Sequence, residues 1–306
     1  MEVLVVGNTA YVDDDFCAKA FPGDHVQVVA ADDAQRESSS HGSWKELLRH
    51  LDQAYEFDRV VYLSTYLTPH TETFGDIELL RSVFRACMGR RVQLLFVAGG
   101  GGGAAGADDA PNATDASAQT GKGIIARAAN DLCRYYASQD GIQAKILCAP
   151  YLYTASAALN DPFLVPLFEA CSTGSVALQG AVDAPLPLLC AEELAVLVHR
   201  IFDSWDATFE TLDVADAFHR TTGDLGGALQ GLFPGLSVAY GESTGYALPA
   251  GDVARKRYGW FQRYDLLRDL STIHARWVNT RTKKTNPLRA AIDRIQLRTL
   301  PIKCLE

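Results

Sequence analysis

No two of the seven cysteines stand in a C-x-x-C pair, and no two of the seven histidines stand in an H-x-x-x-H pair. Cysteines 17, 87, 133, 148, 171, 190 and 304 are dispersed and odd in number, so they read as reduced, mostly buried thiols. No metal site is expected. Missing too is any apolar run near the ~20 residues that a bilayer-spanning helix needs, so no membrane span is expected. No basic stretch with a cleavage pattern opens the chain, and the cytoplasm is the expected address. Positive charge is scarce: 28 Lys and Arg against 37 Asp and Glu leave a net charge of -9. Such a surface repels a polyanion on average, which argues against nucleic acid as a partner.

What the 306 residues do contain is a repeated alternation. "EVLVVG" (2–7), "HVQVVA" (25–30), "DRVVYLS" (58–64), "VQLLFVAG" (92–99) and "AKILCAP" (144–150) are nearly continuous apolar runs, as in strands covered on both faces. Between them "DDDFCAKAF", "SWKELLRHLDQAYEF", "GDIELLRSVFRACMG" and "KGIIARAANDLCRYYASQ" place apolar residues at helical spacing. Strand and helix in alternation predict an α/β fold, a doubly wound parallel sheet with helices on both faces.

The stretch 99–121, rich in Gly, Ala and Asp, has little to bury and reads as a loop overhanging the strand ends. After residue 155 the elements become shorter and mixed, apart from a helix over 191–205 and a strand over 208–216. The expected organisation is one doubly wound, Rossmann-like unit over 1–280. Its core covers about 1–154 and 176–232, and a small C-terminal α/β lobe covers about 155–175 and 233–280. The tail, 281–306, holds seven Lys or Arg against one Asp between Arg281 and Lys303. It reads as a solvated helix, a patch for an anionic partner or, preferentially, a linker into a further domain after residue 306.

In order along the chain, "VLVVGNTAYVDDDF", "DHVQVV", "VVYLST", "ETFGDIELLRSVFRAC", "VQLLFVAGG", "GIQAKILCAPYLYT" and "KRYGWFQRYDLLRDLSTIHARWV" resemble the extended short-chain dehydrogenase/reductases, the NAD-dependent epimerase/dehydratase superfamily. The resemblance runs from Val3 to about Val278 and rests on the ordered set. It implies a site for NAD or NADP built from Gly7, Thr9, Tyr11, Val12, Asp32 or Asp33, Leu63, Ser64 and Lys122. It also implies a homodimer through the helices around Asp76–Cys87 and Lys122–Tyr136.

The departures fall on the chemistry. The family sets a Tyr four residues before a Lys, so that the ammonium lowers the phenol's pKa for proton transfer. Lys122 matches the lysine, but Ala118 stands at the tyrosine position. Tyr135 and Tyr136 lie about 13 residues farther along the same helix, roughly 20 Å away at ~1.5 Å per residue. Where the family's Ser or Thr belongs, the chain offers Ala98 and glycines, with Ser64 and Thr65 as the nearest hydroxyls. Ala10 and Asp13 replace two glycines of the phosphate loop. Asp13, Asp14 and Asp15 suit a helix N-terminus, yet each repels a pyrophosphate by about 1 kcal/mol or more per close pair.

Three readings follow. The first is a catalytically degenerate relative that binds a dinucleotide, nucleotide or small metabolite in a sensory or regulatory role. The second is an active NAD(P)-dependent enzyme on a nucleotide-sugar-like substrate. The third is an interaction domain without ligand.

Overall fold

The structure is a computed structural model; it describes residues 1–8, 10–30, 57–64, 75–99, 121–139, 142–155, 161–214, 217–242 and 253–285. All but Phe57 of the predicted helix over 43–57 lies outside the described residues, as do the glycine-rich stretch 100–120 and the tail beyond 285. Elements are numbered here in chain order among the described residues.

Six strands form one sheet: β1 (Glu2–Gly7), β2 (His25–Ala30), β3 (Arg59–Leu63), β4 (Gln93–Gly99), β5 (Gln143–Ala149) and β9 (Phe209–Asp213). Their order is β2-β1-β3-β4-β5-β9, and every pair is parallel. The apolar runs are continuous because both faces are covered. Val3 and Val5 join one core with Phe16, Leu197 and Ile201. Leu4 and Val6 join a second with Leu80, Phe84 and Cys133.

The first core is closed by α1 (Asp14–Ala20) and α5 (Ala191–Asp203). The second is closed by α2 (Gly75–Cys87) and α3 (Gly121–Gln139), where Tyr136 stacks on Phe84 with ring centroids 4.6 Å apart. A third core lies beside the sheet. It is built on two small parallel pairs, β6 (Tyr151–Tyr153) with β8 (Leu188–Cys190) and β7 (Ser175–Leu178) with β10 (Ser237–Tyr240). Around them pack α4 (Leu164–Ser172), α6 (Thr222–Leu232) and α8 (Leu266–Thr285), while the short α7 (Val253–Tyr258) returns to the first core. Helix α8 buries Leu266, Leu270, Ile273 and Trp277, one residue per turn of a single stripe.

The topology places a crevice. Chain order reverses across β1, which pairs with β2 on one side and β3 on the other. The connection from β1 enters α1 on the first-core face, and α2, ahead of β4, lies on the second-core face. In such sheets the gap outside the carboxyl ends of the strands at the switch point is where ligands bind. Here that gap is bounded by Gly7, Leu63 and Ser64.

Candidate ligand-binding cleft at the ends of β1, β3 and β4

The turn from β1 into α1 is held by its own residues. Asn8 organises it twice: its side-chain oxygen accepts from the Ala10 amide at 2.8 Å, and its carbonyl accepts from the amides of Tyr11 at 2.9 Å and Val12 at 3.1 Å. An Asn bonding its own backbone two residues on is a turn in its own right. Asp13 then caps α1, with its carboxylate accepting from the Phe16 amide at 2.8 Å and its carbonyl from the Cys17 amide at 3.0 Å. Lys19 is paired with Asp15 one turn away.

The same turn is packed as well as bonded. Ala10, Tyr11, Val12 and Phe16 are all buried. A Cβ added at Gly7 would meet Leu63 Cβ at 3.1 Å and Val12 Cγ2 at 3.2 Å. Gly7 is therefore required by its own neighbours, which close over it. The Tyr11 hydroxyl donates to the Leu152 carbonyl at 3.1 Å, fastening the turn to β6. Burial and the nearby Asp161 carboxylate raise the Tyr11 pKa well above its ordinary value, so this phenol is no acid–base group near neutrality.

A dinucleotide needs amides from this turn for its pyrophosphate. The amides of Ala10, Tyr11, Val12 and Phe16 already have partners inside the turn, and a carboxylate caps the helix that follows. These residues do not fit the group.

The other cleft residues are placed as follows. Leu63 is buried at the end of β3, and Ser64 is buried directly after it, with its amide donating to the Val97 carbonyl at 2.9 Å. Ala98 is buried near the end of β4. Lys122 lies in the first turn of α3. Thr9, Asp32, Asp33, Thr65 and Ala118 lie outside the described residues. Tyr136 is committed to the core against Phe84, and Tyr135, 58% exposed, lies beside it far along α3. Neither serves the cleft.

Asp161 was not singled out from the sequence. It is fully buried ahead of α4 and accepts from the amides of Thr154 at 2.7 Å, Phe163 at 2.8 Å and Leu164 at 2.6 Å. Burial pushes its pKa up to about 6, against the pull of those amides. The signal lay in "NDPF", an acidic residue and a proline just before an apolar helical run. Its carboxylate ties the end of β6 to the start of α4.

A cavity of about 280 Å³ between α1, α5 and residues 259–264 is lined by Lys19, Glu192, Arg200, Trp260, Arg263 and Tyr264, among others, and by no residue of the crevice. Among the described residues no group of three or more His, Cys, Asp and Glu is placed to hold a metal ion. No helix among them is long and apolar enough to cross a membrane.

No protein-family sequence model matches the chain, and no curated protein matches it in sequence. Solved structures do match in three dimensions. MoeE5 in complex with UDP-glucose and NAD aligns over 92% of this chain and 100% of its own, with TM-score 0.66 and 14% identity. UDP-glucose 4-epimerase from Thermotoga maritima, with UDP-glucose, aligns over 92% and 100%, with TM-score 0.67 and 12% identity. DesIV, a dTDP-glucose 4,6-dehydratase from Streptomyces venezuelae with NAD bound, aligns over 92% and 97%, with TM-score 0.64 and 15% identity. The fold is that of these extended short-chain dehydrogenase/reductase structures.

Proposed function

We propose that this chain is a catalytically degenerate relative of the NAD-dependent epimerases and dehydratases, which holds a nucleotide or small metabolite in the inherited cleft for a sensory or regulatory purpose. One observation carries the reading: the end of β4, where the resemblance calls for a catalytic hydroxyl, is the buried Ala98. It is supported by Ala118 at the tyrosine position in the sequence and by Tyr11, whose hydroxyl is tied to Leu152 and raised in pKa. General acid–base catalysis contributes about 10²- to 10⁴-fold, and a methyl group contributes none of it. The neighbours named above hold nucleotide sugars and NAD. A nucleotide or sugar ligand for this cleft is the part of that chemistry carried over here. A homodimer through α2 and α3 belongs to the same reading; Met88 and Tyr135 are exposed in that layer.

The test is turnover. Purified protein is incubated with UDP-glucose, UDP-glucuronic acid or dTDP-glucose and with NAD or NADP, and products and reduced cofactor are followed. No turnover above background is expected. Turnover abolished by Lys122→Ala would overturn the reading and restore the active-enzyme alternative. A thermal-shift screen of nucleotides and sugars separates a ligand-binding protein from a ligand-free interaction domain, because binding to the native state alone raises its melting temperature.

A further inference from the structure

We infer that the turn between β1 and α1 refuses a pyrophosphate because the protein's own Asp13 carboxylate takes the phosphate's place. The inference depends on the proposed function only for its choice of fold relatives. It narrows the ligand class to molecules that set no phosphate against residues 7–17.

The hydrogen bonds make the first half of the case. A phosphate-binding turn presents unpartnered amides to its ligand. Five amides of this turn are directed inward: Ala10 to the Asn8 side chain, Tyr11 and Val12 to the Asn8 carbonyl, Phe16 to the Asp13 carboxylate and Cys17 to the Asp13 carbonyl. The Asp13 carboxylate does for α1 what an anionic ligand does for a longer helix, neutralising the dipole and satisfying an end amide.

Shape and charge make the second half. Val12 and Leu63 close over Gly7 from two sides, within 3.2 Å of where a Cβ would stand, so the backbone there is covered. Tyr11 is locked to Leu152, which prevents the turn from swinging open without breaking a buried hydrogen bond. Asp14 and Asp15 follow in the first turn of α1, both exposed, and add two negative charges beside the cap. Ala10 and Asp13 stand where the resembled pattern has glycines, so a methyl group and a carboxylate add to that filling and that charge.

The experiment measures binding of NAD, NADP and ADP to the full chain by isothermal calorimetry and thermal shift. The wild type is expected to show no saturable binding up to millimolar concentration. Ala10→Gly/Asp13→Gly, which removes the methyl, the charge and the cap together, is expected to gain at least about tenfold in affinity for ADP and NAD. Asp13→Asn, which keeps a capping side chain and removes only the charge, is the second variant should the first fail to fold; it is expected to gain in the same direction by less. Saturable NAD binding by the wild type overturns the inference, as does a folded variant with no gain. NAD bound without turnover leaves the degenerate-enzyme reading standing, whereas turnover removes it, so the two fail separately.

Discussion

The Lys145 ammonium, fully buried on β5, lies 3.0 Å from the Glu210 carboxylate at the matching register position on β9. Lys145 also meets Asp206 at 3.1 Å and the Tyr258 hydroxyl at 3.3 Å, and sits 5.0 Å over the Trp205 ring. Arg257 pairs with both Glu210 and Asp206. Removing one partner from a buried ion pair costs about 3–5 kcal/mol where it leaves the other charge uncompensated. Glu210 and Asp206 keep Arg257 after Lys145→Met, so a loss below that range is expected in urea unfolding. Lys145→Met/Glu210→Leu should recover a substantial part, since a well-packed apolar pair is often as stable. A double variant no better than the single one would contradict this account.

Asp161 makes stability depend on pH in an unusual direction. Its carboxyl titrates at about 6 in the folded chain against 3.8 as its ordinary value, so the unfolded chain ionises first as pH rises. Its favourable contribution is complete below about pH 4 and is lost as pH rises through about 6. At about 1.4 kcal/mol per pKa unit, the loss is about 3 kcal/mol. Denaturant unfolding at several pH values should show the wild type declining relative to Asp161→Asn across that window; parallel curves would count against it.

His274 works the other way. Its ring packs among Phe168, Phe233 and Trp277 with centroids 5.2, 4.7 and 5.7 Å away, and Nε2 has no hydrogen-bond partner among the described residues. Burial lowers its pKa below the ordinary 6.5. The unfolded chain takes up the proton first, so stability is intact above about pH 6.5 and falls as pH drops below it. His274→Phe is expected to flatten that acidic limb of a melting-temperature profile, with little change at pH 8.

Gly7→Ala tests the filled turn directly. The new methyl would stand 3.1 Å from Leu63 Cβ and 3.2 Å from Val12 Cγ2, closer than those atoms accept without shifting. Overpacking of this kind costs about 1–3 kcal/mol. The loss should appear in unfolding without any ligand present. A neutral substitution would show that the turn is looser than the contacts imply.

Much of the fold was legible along the chain. The runs at 2–7, 25–30, 58–64, 92–99 and 144–150 became β1 to β5 within a residue or so, because a strand buried on both faces announces itself by local composition. The strand expected over 208–216 is β9, and the helix expected over 191–205 is α5. That Ala10 and Asp13 stand at two glycine positions of the resembled pattern was equally plain, since residue type is a property of single positions. Lys145 and Asp161 were not visible as features. A lysine in an apolar strand looks like a solvent-facing residue until its partners on β9 and α7 are known, and an aspartate beside a proline looks like a surface turn.

By itself, then, the sequence determined the alternation of strands and helices, the two-faced burial of the sheet and the residue types at positions such as Ala10, Asp13 and Ala98. Each follows from what a residue is or from its spacing to near neighbours. Only the tertiary structure decided that the β1–α1 turn is closed. Whether an amide faces a ligand or its own chain depends on where Asn8, Asp13, Leu63 and Leu152 come together. Hydrogen bonds act over about 3 Å, and chain folding alone brings partners from distant positions within that reach.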